Sequence, residues 1–285
     1  MKLAKYRHPN GTIHVGLIED FTAVPLNLSG GQYNCLADVL ESDNPAEVTE
    51  FLADPDGRGS LGKVLLLPPI DQQEVWAAGV TYRRSQVARI ADSAVARTCY
   101  EQVYKAPRPE LFFKATPHRV VGPNQPVRLR RDSQWTVPEP ELTLVLNSHL
   151  QLVGFTIGND MSSRDIGGEN PLYLPQAKIF DACCSIGPCI TLPEAMPPED
   201  TIQIQMSVRR EEEVVFAETT SVSQMARSFD NLIAWLAREN SFPDGVFLLT
   251  GTGIVPPAEF ALRGGDVVEI AISGVGTLIN PVVQG

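Results

Sequence analysis

Regular alternation of hydrophobic and polar residues predicts that strands form most of this chain. Between 202 and 208, isoleucine, methionine and valine alternate with glutamine and serine, which is the period-two pattern of a half-buried antiparallel strand. Apolar runs at 75–80, 152–157 and 267–272 predict further strands, because short apolar segments between turn residues are typical of buried strands. We therefore expect a mainly β protein.

Helical periodicity is confined to a few segments. Apolar residues recur at helical spacing between 83 and 104, and a second apolar stripe over 225–236 ends near Asn240. Ser221 and Gln224 precede this stripe at the spacing of a capping box, in which both side chains bond free amides of the first helical turn. Strands together with these few helices predict the α+β class, mainly β.

A proline pair at 68–69 separates two predicted domains. Residues 1–68 contain a strand pattern and two short helical patches, which predict a small N-terminal α/β module. Residues 69–285 hold the remaining patterns and are expected to form the main domain. His8 and His14 in the first module have no acidic or thiol neighbours at metal-ligand spacing, so we assign that module no chemistry.

Charge narrows the range of expected partners. The chain has 34 acidic and 23 basic residues, a formal net charge of -11, so nucleic acid, itself a polyanion, is not an expected partner. No apolar run reaches the roughly 18 residues of a membrane helix, and the first ten residues do not resemble a signal peptide. We therefore expect a cytoplasmic protein without a membrane partner.

Five cysteines without a Cys-x-x-Cys pair favour reduced thiols.

Three acidic residues are the strongest candidates for chemistry. Glu139 and Glu141 stand two positions apart in a segment expected to be extended, so both side chains leave the same face. Asp160 follows the strand predicted at 152–157, which we expect beside the first. Carboxylates crowded into a low-dielectric cleft either take up protons or need a cation between them, and for a cation an all-oxygen set suits Mg²⁺ or Mn²⁺. The alternative is that Glu-x-Glu marks a solvated strand face.

Five motifs in this order resemble the fumarylacetoacetate hydrolase superfamily over most of the chain after about residue 65. They are Pro-Glu-Pro-Glu-Leu at 138–142, Gly-Phe-Thr-Ile-Gly-Asn-Asp-Met-Ser-Ser-Arg-Asp at 154–165, Lys178 followed by Phe-Asp at 180–181, Gly-Pro at 187–188 and Thr-Gly-Thr-Gly at 250–253. The resemblance implies a mixed β-sandwich or roll in which Glu139, Glu141 and Asp160 bind Mg²⁺, with Mn²⁺ as the second choice. It also implies that Lys178 and Thr252 face the substrate, and that the chain forms a homodimer or homotetramer.

One subgroup of the superfamily resembles the chain more closely. Its members are 2-keto-3-deoxy-D-arabinonate dehydratases, and the matching segments are 79–85, 109–114 and 168–178. The resemblance implies metal-dependent dehydration of a 2-keto-3-deoxy sugar acid, with 2,5-dioxopentanoate as the product from a pentonate. It makes Lys178 and Glu110 the candidate catalytic residues, and Tyr82, Ser85 and Arg164 candidates for binding this small 2-keto acid.

Several alternatives stay open at this point. Glu110 could instead pair with Lys114, and the sequence does not say whether Glu110 or Lys178 removes the C3 proton while the other protonates the departing C4 hydroxyl. The alternative reactions are hydrolysis of an acylpyruvate and decarboxylation of oxaloacetate. Hydrolytic members typically carry a histidine shortly after the position of Tyr82, where this chain has Arg-Arg-Ser, which favours dehydration. We further hypothesise that the helix expected over 83–104 is a lid over the site.

Overall fold

The computed structural model describes residues 1–28, 31–83 and 102–285. Ser85 and all but the ends of the helix predicted over 83–104 lie outside the described residues. The substrate-binding role of Ser85 and the lid hypothesis therefore stay predictions.

Strands dominate the described chain, and the helices between them are short. The strands are β1 (Lys2–Arg7), β2 (Ile13–Glu19), β3 (Thr22–Pro25), β4 (Gly59–Ser60), β5 (Leu65–Leu67), β6 (Glu74–Gly79), β7 (Glu110–Ala115), β8 (Val120–Val121), β9 (Val127–Leu129), β10 (Thr136–Val137), β11 (Pro140–Leu146), β12 (Leu152–Asp160), β13 (Ser162–Ser163), β14 (Cys184–Thr191), β15 (Gln203–Arg210), β16 (Glu213–Ser221), β17 (Val246–Leu249), β18 (Val267–Ile272) and β19 (Gly276–Gln284). The helices are α1 (Leu36–Leu40), α2 (Pro45–Leu52), α3 (Arg164–Glu169), α4 (Leu174–Lys178) and α5 (Phe229–Leu236). Within the described residues, no helix is long and apolar enough to cross a membrane.

One large mixed sheet contains most of these strands. Its order is β4-β3-β2-β1-β14-β12-β11-β17-β6-β7, while β5 pairs with β1 and β8 pairs with β14. A five-stranded sheet has the order β16-β15-β18-β19-β9, and β10 pairs with β13. The predicted fold class, α+β and mainly β, is confirmed.

The central strands of the large sheet are buried on both faces. Leu142, Leu144 and Leu146 of β11 pack in one hydrophobic cluster with Ile204 and Ile270 of the five-stranded sheet. A second cluster lies on the opposite face and includes residues of α1. Because strands covered on both faces can be apolar at every position, β11 shows no alternation of exposed and buried residues. This double burial places the two strands that carry the acidic residues in the centre of the molecule.

The N-terminal strands are continuous with the rest of the large sheet. β1 pairs with β2 on one edge and with β14 on the other, where Leu3 lies opposite Ile190. Hydrogen bonds of one sheet therefore cross the predicted boundary at residue 68. The division into a module of residues 1–68 and a catalytic domain of residues 69–285 stays a prediction.

The helix expected directly after the Ser221 capping box begins later than predicted. Ser221 caps only the 3-10 turn Val222–Gln224, whereas α5 begins at Phe229 with Ser228 as its capping residue. The reason is a long-range contact, since Met225 forms a β-bridge with Tyr82. Extended backbone at this bridge interrupts the helical stripe that the sequence shows.

The cysteines that the structure describes are reduced. Cys35, Cys183, Cys184 and Cys189 carry free thiols, and the last three are buried. This agrees with the prediction from their spacing, while Cys99 lies outside the described residues.

Candidate active site

Two paired strands bring three carboxylates together, as the sequence predicts. β11 and β12 are antiparallel neighbours, and the N–H of Asp160 donates to the carbonyl of Glu139 at 2.9 Å. One carboxylate oxygen from each of Glu139, Glu141 and Asp160 lies within 4.8 Å of the others. Each side chain is at most 2% exposed. The alternative that Glu-x-Glu marks a solvated strand face is therefore wrong.

The electrostatics of this cluster favour a cation. Burial raises the pKa of Glu141 well above its ordinary value, and the charges of Asp160 and Glu139 raise it further. The charge of Lys178 and the N–H of Gly251 act in the opposite direction without cancelling the effect. Three buried oxygen ligands whose mutual repulsion raises the pKa of one of them fit a hard divalent ion such as Mg²⁺ or Mn²⁺. The cluster can therefore bind the metal that the sequence predicts.

Lys178, the last residue of α4, lies directly against the carboxylates. Its Nζ donates to Glu139 Oε2 and to Asp160 Oδ2, at 2.7 Å in both cases. The same ammonium group lies 5.5 Å from the centre of the Phe112 ring, and Lys178 is 4% exposed. A group able to transfer a proton thus adjoins two of the three candidate metal ligands.

Lys114 is a second lysine at the site, and the sequence analysis did not assign it there. Its Nζ lies 2.6 Å from Asp160 Oδ1 and also donates to the carbonyls of Met161 and Lys178. Burial alone lowers the pKa of Lys114, but the neighbouring Asp160 charge, with smaller contributions from two cysteines, raises it above the ordinary value. The lysine therefore stays charged and fixes one oxygen of Asp160. The proposed Glu110–Lys114 ion pair is replaced by this contact.

Glu110 begins strand β7 at the edge of the cleft. It lies opposite Gly79 of the neighbouring strand β6, and its carboxyl group rests against the Gly79 backbone. Gly79, in turn, lines the same cleft as Glu139 and Lys178. The structure thus places Glu110 against a residue of the cleft wall, on a different strand from the other candidate residues.

Two loops close the cleft opposite α4. Thr81 donates its hydroxyl hydrogen to the carbonyl of Thr250 at 2.6 Å, and Gly251 donates its N–H to Glu141 Oε2. Gly251 has φ +92°, and a Cβ at this position would lie 2.0 Å from the Thr81 hydroxyl, so glycine is needed on both counts. Val80 also lines the cleft and has φ +54°, a conformation that β-branched residues rarely adopt. Such strained backbone is typical of functional sites.

Tyr82 lies behind the cluster. It is fully buried, and burial, reinforced by the Glu141 charge, raises the pKa of its hydroxyl. Its ring packs against Gly253, where a Cβ would lie 2.6 Å from the Tyr82 Cδ1 atom. The phenol thus stays protonated beside Glu141, and its predicted contact with substrate stays a prediction.

Thr252 and Arg164 occupy different parts of the site. Thr252 lines the cleft together with the three carboxylates, and its hydroxyl contacts Ile254. Arg164 is buried at the start of α3, with its guanidinium 3.6 Å from Glu139 Oε1 and 5.8 Å from the centre of the Trp135 ring. The position of Arg164 suits orientation of a metal ligand, whereas that of Thr252 suits contact with substrate.

The raised pKa of Glu141 predicts pH-dependent metal binding. Protons compete with Mg²⁺ for this carboxylate at every pH below its raised folded-state pKa, so the affinity for Mg²⁺ should rise with pH up to that pKa. In the metal-free protein this group contributes stability below pH 4.5 that is lost as the pH rises through its folded-state pKa. Calorimetric titration with Mg²⁺ between about pH 5 and about pH 8 measures both the affinity and the proton release. An affinity that does not change with pH would contradict this account.

Comparison with known sequences supports the resemblance that the motifs carry. The family description "Fumarylacetoacetate (FAA) hydrolase C-terminal" matches residues 74–283. A probable 2-keto-3-deoxyxylonate dehydratase of Haloferax volcanii is 50% identical over 214 residues, which are 75% of this chain and 73% of that protein. A 2-dehydro-3-deoxy-D-arabinonate dehydratase of Saccharolobus solfataricus is 43% identical over 226 residues, 78% of this chain and 76% of that protein.

A solved structure extends the similarity to the whole fold. It is a 2-keto-3-deoxy-D-arabinonate dehydratase complexed with magnesium and 2,5-dioxopentanoate, and it is 36% identical to this chain. It superposes with a TM-score of 0.86 over 100% of this chain and 99% of its own. The match over residues 74–283, together with these relatives, shows that the chain belongs to the fumarylacetoacetate hydrolase superfamily.

Proposed function

We propose that this protein is a hydro-lyase that dehydrates a 2-keto-3-deoxy-pentonate, such as 2-keto-3-deoxy-D-arabinonate, to 2,5-dioxopentanoate. The observation that carries the proposal is the contact of Lys178 Nζ with two of three clustered carboxylates, at 2.7 Å from each. This contact puts a proton-transfer group beside the oxygen ligands that suit a divalent metal. Sequence relatives at 43% and 50% identity that are themselves dehydratases support the same reaction.

The metal's share in the reaction is electrostatic. Glu139, Glu141 and Asp160 would hold Mg²⁺, which as a Lewis acid would draw electron density from the carboxylate and 2-oxo group of the substrate and make the C3 proton more acidic. Fixing these three carboxylates before substrate arrives is the task of the surrounding residues. Lys114 holds one oxygen of Asp160, and Arg164 lies beside Glu139.

The chain's own residues move the protons. In this proposal Lys178, which contacts two of the metal ligands, acts as a neutral amine and takes up the C3 proton. Glu110, at the start of β7, acts as a protonated carboxylic acid and gives its proton to the C4 hydroxyl as the C4–O bond breaks and water leaves. Each role is typically worth about 10² to 10⁴ in rate. The C3=C4 double bond that forms then tautomerises to place an aldehyde at C5, which gives 2,5-dioxopentanoate.

The remaining candidate residues form the walls of the substrate site. Thr252 contacts the substrate from the floor of the cleft that it shares with the carboxylates. Tyr82 and Ser85 follow β6 in the sequence, and in this proposal they contact the end of the substrate remote from the metal. Because the cleft is buried, few water molecules compete for these positions, which strengthens every electrostatic interaction inside it.

A direct assay tests the reaction. Purified protein with Mg²⁺ should convert a 2-keto-3-deoxy-pentonate to 2,5-dioxopentanoate, which is detected by mass spectrometry or by a coupled aldehyde dehydrogenase. The C4 epimers of the substrate should differ in kcat/KM, because the C4 hydroxyl must meet one fixed proton donor. Acylpyruvates and oxaloacetate serve as comparison substrates. Faster turnover of either would assign the protein to the hydrolytic or decarboxylating reactions instead.

The assembly and location of the protein are further parts of this proposal. We expect a homodimer or homotetramer in the cytoplasm, without a nucleic acid or membrane partner. A net charge of -11 supports the expectation for nucleic acid, and exposed apolar side chains such as Phe21, Phe51 and Leu172 are available for contacts between copies. Light scattering after gel filtration measures the mass, and a single mass of 31.1 kDa would contradict self-association.

A further inference from the structure

Gly79 and Glu110 are directly opposed residues on two strands that border the cleft. β6 and β7 are antiparallel, and Gly79 lies opposite Glu110 in their register. A Cβ built on Gly79 would lie 1.9 Å from Glu110 Oε2, 2.6 Å from its Cδ and 3.2 Å from its Cγ. These are the three nearest heavy atoms. The carboxyl group of Glu110 therefore occupies the space that a side chain at position 79 would fill.

Backbone conformation does not explain the glycine. The φ angle of Gly79 is not positive, whereas that of Gly251 in the same cleft is +92°. Position 79 ends a regular strand, where residues with a side chain are ordinarily favoured over glycine. The requirement at this position is therefore for space, and Glu110 uses that space.

Gly79 connects Glu110 to the wall of the cleft. It lines the cleft together with Glu139, Glu141, Asp160 and Lys178, and the Glu110 carboxyl group lies against it. We propose that Gly79 is a positioning residue, which keeps the carboxyl group of Glu110 at the edge of this cleft. The catalytic part of the inference rests on the proposed dehydration, in which Glu110 protonates the departing hydroxyl. The placement of Glu110 itself does not depend on the identity of the reaction.

An added methyl group at position 79 therefore displaces a catalytic group without unfolding the protein. Contacts of a Cβ below 3.0 Å do not persist, so one of the two groups moves. The atoms in the way belong to the flexible side chain of Glu110, so rotation of that side chain relieves the contact. The Glu110 carboxyl group then leaves the position from which it donates its proton. General acid catalysis is typically worth about 10² to 10⁴ in rate, and the share that depends on this position is lost.

The first experiment compares Gly79→Ala with the wild-type protein and with Gly59→Ala. Gly59 lies in strand β4 with nothing within 4 Å of an added Cβ, so it controls for the general effect of alanine in a strand. Gly79→Ala should lower kcat by at least about tenfold, with the Kd for Mg²⁺ and the melting temperature close to those of the wild type. Gly59→Ala should retain wild-type kcat. Wild-type kcat in Gly79→Ala would overturn the proposal.

A second experiment separates the loss of Glu110 from other effects of the substitution. In the Glu110→Ala background the added methyl group meets no carboxyl group, so Gly79→Ala should change kcat by less than about twofold in the double variant. An equal loss of kcat with and without Glu110 would overturn the proposal. The crystal structure of Gly79→Ala should show the Glu110 carboxyl group turned away from position 79. An unmoved Glu110 would also overturn the proposal. This last readout needs no substrate, so it stands even where the wild-type protein fails to dehydrate a pentonate.

Discussion

Replacement of Asp160 by asparagine is expected to abolish Mg²⁺ binding in the micromolar to millimolar range and to reduce kcat/KM by roughly 10³ or more. The loss of one of three negative ligands removes Lewis-acid stabilisation worth several kcal/mol, and each 1.36 kcal/mol corresponds to a factor of about ten in rate. Asparagine keeps the shape of the side chain, but it cannot accept from Lys178 and Lys114 on both sides, as the two Asp160 oxygens do. Isothermal titration with Mg²⁺ and steady-state kinetics measure the two effects.

The matched control for this variant is Asp200→Asn. Asp200 is an exposed residue in the 3-10 turn Glu199–Thr201, so the same change of one charge should leave Mg²⁺ affinity and kcat at wild-type values. Circular dichroism checks that both variants are folded. An Asp160→Asn protein that binds Mg²⁺ with wild-type affinity would show that the acidic cluster is not the metal site.

The acidic cluster could be predicted because it depends on two local rules. Side chains two residues apart on a strand share a face, which brings Glu139 and Glu141 together. Neighbouring strands in sequence commonly pair, which brings the end of β12 beside the start of β11. Both rules operate within about twenty residues of chain, so a single sequence contains the information. The apolar runs around the cluster then explain its burial, because they form strands that are covered on both faces of the sheet.

The role of Lys114 could not be predicted in this way. Its partner Asp160 lies 46 residues further along the chain, and the carbonyl of Lys178 lies 64 residues further. Glu110 is the partner that the sequence offers, because it lies four positions away on the same strand. A signal was present, since a single lysine in the apolar run 111–115 resembles the isolated lysine at 178. A buried lysine needs an anion, and here the anion is a candidate metal ligand.

The late start of helix α5 illustrates the same limit. Ser221 and Gln224 have the spacing of a capping box, and the following residues have helical periodicity. The segment between them is nevertheless extended, because Met225 bridges to Tyr82 and Ala226 donates its N–H to the carbonyl of Thr81 at 2.7 Å. These tertiary hydrogen bonds connect the loop before the helix to the loop that lines the cleft. The tertiary contacts of Met225 and Ala226 thus override the local helical propensity of this segment.

Replacement of Lys178 by methionine should separate catalysis from metal binding. Methionine is unbranched like lysine and only one heavy atom shorter, so it keeps most of the buried volume, but it cannot transfer a proton. We expect kcat to fall by about 10² to 10⁴. We also expect Mg²⁺ to bind at least as tightly as in the wild-type protein, because the ammonium group that now contacts Glu139 and Asp160 repels a second cation at the same oxygens. Isothermal titration gives the affinity, and product formation under saturating Mg²⁺ gives kcat.

The control for this prediction is Lys2→Met, since Lys2 is also partly buried but donates to the carbonyl of Val275, away from the acidic cluster. Its kcat and its Mg²⁺ affinity should match those of the wild type. The combination expected for Lys178→Met is diagnostic, because a variant that merely disturbs the site would lose affinity and activity together, as Asp160→Asn should. Weaker Mg²⁺ binding in Lys178→Met would therefore show that the lysine supports the metal ligands. An undiminished kcat would show that Glu110 or another group is the base that removes the C3 proton.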